Sequence, residues 1–388
     1  MATMTKTSYR RPEGHYREVR PGVWRVWFNV NDGGTRKQRT KTIYGTADDA
    51  SHALHETLSA LHTNDYSEPN KVTVTALLDL WLNVYATTKR PSTFTGYKGI
   101  VKLYLGPELG HILVTKLTPI DIETMYAGMT KRGLAGRTVL HTHRVLQQIL
   151  KFAIRRGFIK TNPAGRDYLD APTANRIEVR ALTKEERQRF LSGLGRPRWI
   201  SSPWYAPFLL AYQTGMRRGE LMGLKWDAVD LDRRMVDVIR TLERIPGKGL
   251  NIGEPKSDTS RRSIKLPASA VSLLTAHKAR QAAMQLAAGP AWQDDSFVFA
   301  QPDGRPRDPD AVTKAFRELM IELGITNVHL HTMRHTHATV LLEQGVHLKV
   351  VQMRLGHSSI AVTADYYSSV AESLDGHAAE AFDEASGL

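Results

Sequence analysis

Apolar and polar positions divide the chain into three stretches of different period. The run V-W-R-V-W-F-N-V at 23–30 alternates and is rich in β-formers. N-D-G-G follows it, then the basic run R-K-Q-R-T-K-T-I. A period of two around turn residues predicts a hairpin with one basic strand, and a helix follows from 47 to about 61. The polar, proline-containing H-T-N-D-Y-S-E-P-N at 62–70 reads as a linker. From 72 to about 157 the spacing is helical and predicts about four helices. One opens on S-T-F-T, one on T-P-I-D with proline placed for a first turn, and the last is a long amphipathic run at 138–156. The third stretch opens near 181 with L-T-K-E-E, where Thr183 and Glu186 form a capping box. Beyond it helices alternate with short strands. M-V-D-V-I and R-R-S-I-K-L-P are predicted as neighbours and S-F-V-F-A as a third strand. The pattern predicts a multidomain protein: a small N-terminal β-sheet plus helix at 1–64, an all-α domain at 70–166, and a mostly helical α+β domain at 174–388.

Charge changes that picture. The 388 residues carry 53 Lys and Arg against 39 Asp and Glu, a formal +14. An excess of that size points to a polyanion, and nucleic acid ranks ahead of an anionic membrane. It is concentrated at the start: residues 1–41 hold ten Lys/Arg and three acids, a net +7. Arg25, Arg36, Lys37 and Arg39 on the basic sheet are therefore candidate DNA contacts. From 371 on there are five acids and no Lys or Arg, which suits a tail that docks on protein. The chain has no cysteine. Disulfides, thiolate catalysis and sulfur-ligated zinc are excluded. There is no signal-peptide core and no apolar run of about 18 residues, so the expected location is the cytoplasm, without a membrane partner.

Four of the fifteen histidines crowd into H-L-H-T-M-R-H-T-H at 329–337. His331 and His335 have the spacing of a helical zinc pair, but Thr332 stands where such a motif carries its general base. Arg334 beside a metal is also electrostatically wrong. No metal and no other cofactor is expected. A phosphate site suits the residues better. His331 and Arg334 share a face, arginine offers a fixed fork of donors, and histidine moves protons near neutral pH. His329 and His337 read as packing residues.

Three further motifs fit the same chemistry. T-G-M-R-R-G-E-L places Arg217 after a glycine break at a helix start, where anions are favoured. Arg218 is expected on the outer face, and Glu220 can pair with an arginine and hold it. E-P-K-S-D-T-S-R-R-S-I-K-L-P places Lys256 at a turn between strands, with Lys248 in P-G-K-G as a weaker rival. R-L-G-H-S-S-I-A-V-T-A-D-Y-Y carries His357, with Tyr366 and Tyr367 nine and ten residues later.

Taken in order, Arg217, Lys256, His331, Arg334, His357 and a tyrosine closely resemble the tyrosine recombinase (phage integrase) family. The resemblance spans the whole chain. It implies an arm-type DNA-binding module, a helical core-binding domain and a catalytic domain, the last two clamping duplex DNA. It also implies that a tyrosine attacks a DNA phosphodiester to give a 3′-phosphotyrosine and a free 5′-hydroxyl, with no metal or nucleotide. Arg217 and Arg334 would hold the non-bridging oxygens, and Lys256 would protonate the leaving oxygen. His331 would act as base or relay, and His357 would donate to a phosphate oxygen. T-A-D-Y-Y-S-S-V fits the family's T-x-D-x-Y with Tyr367 last, so Tyr367 is preferred over Tyr366. Ser369 departs from the histidine often found there. The implied partners are double-stranded DNA attachment sites, a homo-tetramer on DNA, an excisionase and a DNA-bending host protein. The competing readings are a non-catalytic DNA-binding regulator, which charge alone would support, and a zinc hydrolase.

Overall fold

The computed structural model describes residues 14–32, 35–62, 71–174, 180–255, 258–360, and the short pieces 363–364, 382–383 and 386. It comprises two compact units, Met1–Asn175 and Arg176–Leu388.

In the first unit, β1 (Gly14–Arg20), β2 (Val23–Asp32) and β3 (Thr35–Tyr44) form an antiparallel sheet in that order. Alternation places Trp24, Val26, Phe28 and Val30 on one face of β2. α1 (Ala47–His62) covers that face with Ala50, Leu54 and Leu58. The register sorts the four basic candidates by face. Arg25 pairs with Thr42, and Arg36 pairs with Asn31, so Arg25 and Arg36 share the open face. Lys37 and Arg39 pair with Val30 and Phe28 and therefore lie on the α1 side. The four basic candidates do not share one face, because a strand reverses its side chains at every residue.

A separate core follows. It is built from α2 (Val74–Val84), α3 (Pro91–Ile100), α4 (Gly106–Leu109), α5 (Pro119–Lys131) and α6 (Gly136–Arg155). A single π turn, Val101–Leu105, makes α3 and α4 nearly continuous, so the count of four long helices holds. Thr118 and Asp121 form a reciprocal capping box ahead of Pro119, which fixes where α5 starts. Trp81 is fully buried and packs 5.0 Å from Tyr97.

The second unit opens on α7 (Lys184–Leu194), capped by Thr183 and Glu186 as predicted. α8 (Pro197–Ile200), α9 (Tyr205–Thr214) and α10 (Arg218–Met222) follow. A sheet of β4 (Val229–Asp230), β5 (Met235–Val238) and β8 (Arg262–Lys265) forms next, with β5 and β8 antiparallel as expected. Between them β6 (Thr241–Ile245) and β7 (Gly249–Gly253) make a hairpin whose turn holds Lys248. The chain ends its described core with α11 (Ala268–Ala288), α12 (Pro309–Glu322), α13 (Thr332–Glu343) and α14 (Leu348–Leu355).

S-F-V-F-A is not the third strand of that sheet; Val229–Asp230 is. The segment makes only isolated bridges, Lys225 to Phe297 and Ala300 to Pro306. Phe297, Val298, Phe299 and Ala300 are all buried, so the run is apolar because it threads the core. Among the described residues, no helix is long and apolar enough to cross a membrane.

Candidate active site

The site is organised by the C-terminal end of α14. Three successive carbonyls there each accept from a different arginine. Arg354 O takes Arg262 Nε at 2.7 Å, Leu355 O takes a terminal nitrogen of Arg334, and Gly356 O takes one of Arg217 at 3.0 Å. Helix C-termini leave their last carbonyls without helical partners and carry partial negative charge, so cations gather there. Gly356 ends the helix at φ +67°, and a Cβ at that position would meet Thr259 O at 2.9 Å. Only glycine lets the chain turn this close to β8.

Each arginine is held from a second side. Arg334, on the first turn of α13 and only 1% exposed, also donates to Gly215 O at 2.8 Å. Gly215 sits at φ +66°, where a Cβ would lie 2.7 Å from Leu355. Arg217 precedes α10 in extended conformation, its side chain 35% exposed. Its backbone N–H and one terminal nitrogen donate to the two oxygens of Glu220, at 2.9 and 2.7 Å. Arg262 grips the same carboxylate at 3.2 and 2.9 Å and also donates to Ser260 O. Burial works to raise the Glu220 pKa. The bonds and charge of Arg262, then Arg217, outweigh it and hold the carboxyl below its ordinary value.

The histidines divide. His331 caps α13 rather than lying within it, and its ring meets that of His335 at 5.0 Å. Crowding by protein, then the charges of Arg334 and Arg217, push His331 down to about 4. Its exposed edge tempers the burial contribution. His335, buried, is pushed to about 4 by burial and then by His331 and Arg334. His357 is pushed to about 3 by burial and then by Arg334, Arg217 and the two other rings. Its Nδ1 lies 2.9 Å from the buried hydroxyl of Thr363. His337 is a packing residue as read. The Tyr212 carbonyl accepts from its Nδ1, so Nε2 is the acceptor for Arg354 Nε at 2.9 Å, which fixes a neutral tautomer. His329 is not a packing residue, contrary to expectation: it is exposed, and its backbone N–H donates to the Thr332 hydroxyl. Arg218 is on the outer face, paired with Asp310.

The structure thus brings Arg217, Arg334, His331 and His357 to one place from elements far apart in sequence. Lys256, Tyr366 and Tyr367 lie outside the described residues. Arg262 and Thr363 escaped the sequence reading. A signal for Arg262 existed: on β8 it alternates with Ile264, and both are inward. Among the described residues no three His, Cys, Asp or Glu side chains group as a metal site.

The shifts predict acid lability. His335, His337 and His357 stay neutral in the fold, with pKa values of about 4, 3 and 3, but protonate below about 6.5 once unfolded. Their contribution is therefore whole above pH 6.5 and drains away as the pH falls from there through about 4 for His335 and about 3 for His337 and His357. The unit's melting temperature should be lower at pH 5 than at pH 7.5 by about 5–10 °C. A calorimetric scan with no drop over that interval would contradict it.

Comparison with known proteins adds to this geometry. The phage integrase family model matches residues 180–373, half the chain, and the phage integrase N-terminal SAM-like domain matches 73–129. The chain belongs to the phage integrase family. It is a tyrosine-type site-specific DNA recombinase. Among its relatives is a tyrosine recombinase XerC-like protein of Caldanaerobacter subterraneus subsp. tengcongensis. It is 28% identical over 365 residues, covering 89% of this chain and 92% of the relative. The integrase of transposon Tn1549, solved with a circular intermediate DNA, shares the fold at TM-score 0.66 and 22% identity. That match covers 76% of this recombinase and 95% of the transposon protein. A lambda integrase tetramer bound to a Holliday junction matches 90% of the recombinase and 96% of its own chain, at TM-score 0.55 and 19% identity.

Proposed function

We propose that the recombinase cuts and rejoins duplex DNA at the attachment sites of a mobile element, through a phosphotyrosine made by Tyr367. The supporting observation is the convergence of Arg217, Arg334 and His357 on the end of α14. In this reading the Tyr367 oxygen attacks the scissile phosphorus and the P–O5′ bond breaks. Negative charge builds on the non-bridging oxygens, and Arg217 and Arg334 meet it with donors already fixed in place. His331 accepts the tyrosine proton, and Lys256 supplies one to the departing 5′-oxygen. His357 is neutral at pH 7 and donates from one nitrogen. The 5′-hydroxyl of a partner strand then attacks the phosphotyrosine and frees the enzyme. Phosphate esters exchange one for one, so no energy source is consumed.

The domain limits 1–64, 70–166 and 174–388 belong to this reading, as do a cytoplasmic location, a tetramer on DNA, an excisionase and a bending protein. The N-terminal sheet takes a second DNA site, with Arg25 and Arg36 reaching it from the open face.

Nicked duplexes built from the junctions between the element and its host chromosome test the first claim. With EDTA present, the full chain should form a denaturant-resistant adduct. Specific binding with no adduct would instead mark a regulator, and an adduct abolished by chelation a metal enzyme. Deleting residues 1–64 should leave adduct formation within about threefold but lower recombination between two sites by about tenfold or more. Undiminished two-site recombination would remove the arm-binding role.

A further inference from the structure

Glu220 poses a problem that the assigned residues do not solve. Its carboxylate is 1% exposed and bonded to the arginine that meets the phosphate. A buried negative charge there would cancel much of Arg217's charge and repel an incoming phosphodiester, since screening inside the fold is weak. Arg262 answers it. Its side chain is 6% exposed, and it meets both Glu220 oxygens in a fork. Its remaining bonds, to Ser260 O and Arg354 O, tie β8 to the end of α14. One carboxylate between two guanidiniums leaves a net positive charge, and Arg217 is the more exposed of the two.

We propose that Arg262 is a positioning residue that neutralises Glu220, so that Glu220 anchors Arg217 without competing with the phosphate. This rests on the reading that Arg217 grips the scissile phosphate. Arg262 itself touches no reacting atom. Its position, immediately before Ser263 on the strand that follows Lys256 in the chain, also lets it tie that strand to the carbonyl row that holds Arg217 and Arg334.

The test compares full-length wild type, Arg262→Lys, Arg262→Gln, and the double variant Arg262→Gln with Glu220→Gln. Single-turnover adduct formation is measured on the nicked junction duplexes, and a melting curve is recorded for each protein. Arg262→Gln should slow the adduct by about a hundredfold, because the bare carboxylate now draws on Arg217. Removing that carboxylate as well should restore the rate to within about tenfold of wild type, and lysine, which keeps the charge but not the fork, should recover part of it. A residue that mattered only for packing would give a double variant at least as slow as the single one, and that result overturns the proposal. So does an Arg262→Gln protein at wild-type rate. If Arg262→Gln does not melt cooperatively, the double variant decides: folded and within about tenfold supports the proposal, folded and about a hundredfold slow overturns it. A wild type that binds the duplex but forms no adduct instead refutes the phosphate reading beneath it, and this inference with it.

Discussion

Tyr367→Phe should abolish the covalent adduct and leave duplex binding within about threefold. The change removes one hydroxyl oxygen and keeps the ring. In the proposed reaction that oxygen is the attacking atom, and Tyr366 is the residue that the T-A-D-Y-Y motif passes over. Tyr366→Phe should therefore keep most of the adduct. If Tyr366→Phe alone is dead, the nucleophile is Tyr366 and the reading of T-A-D-Y-Y has been taken one residue too far. Both tyrosines lie outside the described residues, so this assignment stands on the motif.

Arg334→Ala should be the most damaging change within the described site. In the proposed reaction it removes a charge that meets the transition state, at a cost of about 10²–10³ in rate. It also leaves Gly215 O and Leu355 O in the interior without their donor. Each such carbonyl costs about 1–3 kcal/mol. The melting temperature should then fall by about 10 °C, given roughly 2–4 °C per kcal/mol for a unit of this size. Arg334→Lys separates the two effects. Lysine keeps the charge, but one ammonium cannot span two carbonyls set for a planar fork. It should recover more activity than stability. An Arg334→Ala protein with both wild-type melting and wild-type adduct rate would mean that this buried guanidinium is not part of the site.

What was legible in the chain follows from what is local. The hairpin at 23–44, the Thr183 cap, the helix start at Pro119 and the placing of Arg217 at a helix start depend on turn residues, period and capping. All are set within a few residues. S-F-V-F-A failed because a continuous apolar run reads the same whether it joins a sheet or threads a core. The sequence named four basic candidates on the N-terminal sheet, and the register divides them two and two between its faces. The β6–β7 hairpin was not read; P-G-K-G entered only as the setting of Lys248. The convergence on α14 is a matter of chain-distant carbonyls and guanidiniums. No spacing rule reaches from Arg217 to Gly356, and only the ordered motifs of a family joined them beforehand. Arg262 belongs to the same class: alternation could show that it points inward, but not that a carboxylate 42 positions away waits for it.

The central claim is that a tyrosine of this chain takes up the DNA strand at a site framed by Arg217, Arg334 and His357. Its most direct test is chemical. The adduct formed in EDTA on the nicked junction duplex is digested with a protease and a nuclease, and the peptide that keeps a nucleotide is sequenced by mass spectrometry. The account predicts a nucleotide attached through its 3′-phosphate to Tyr367. A nucleotide on a serine, a 5′-phosphate linkage, or no linked peptide from DNA that the protein demonstrably binds would contradict it.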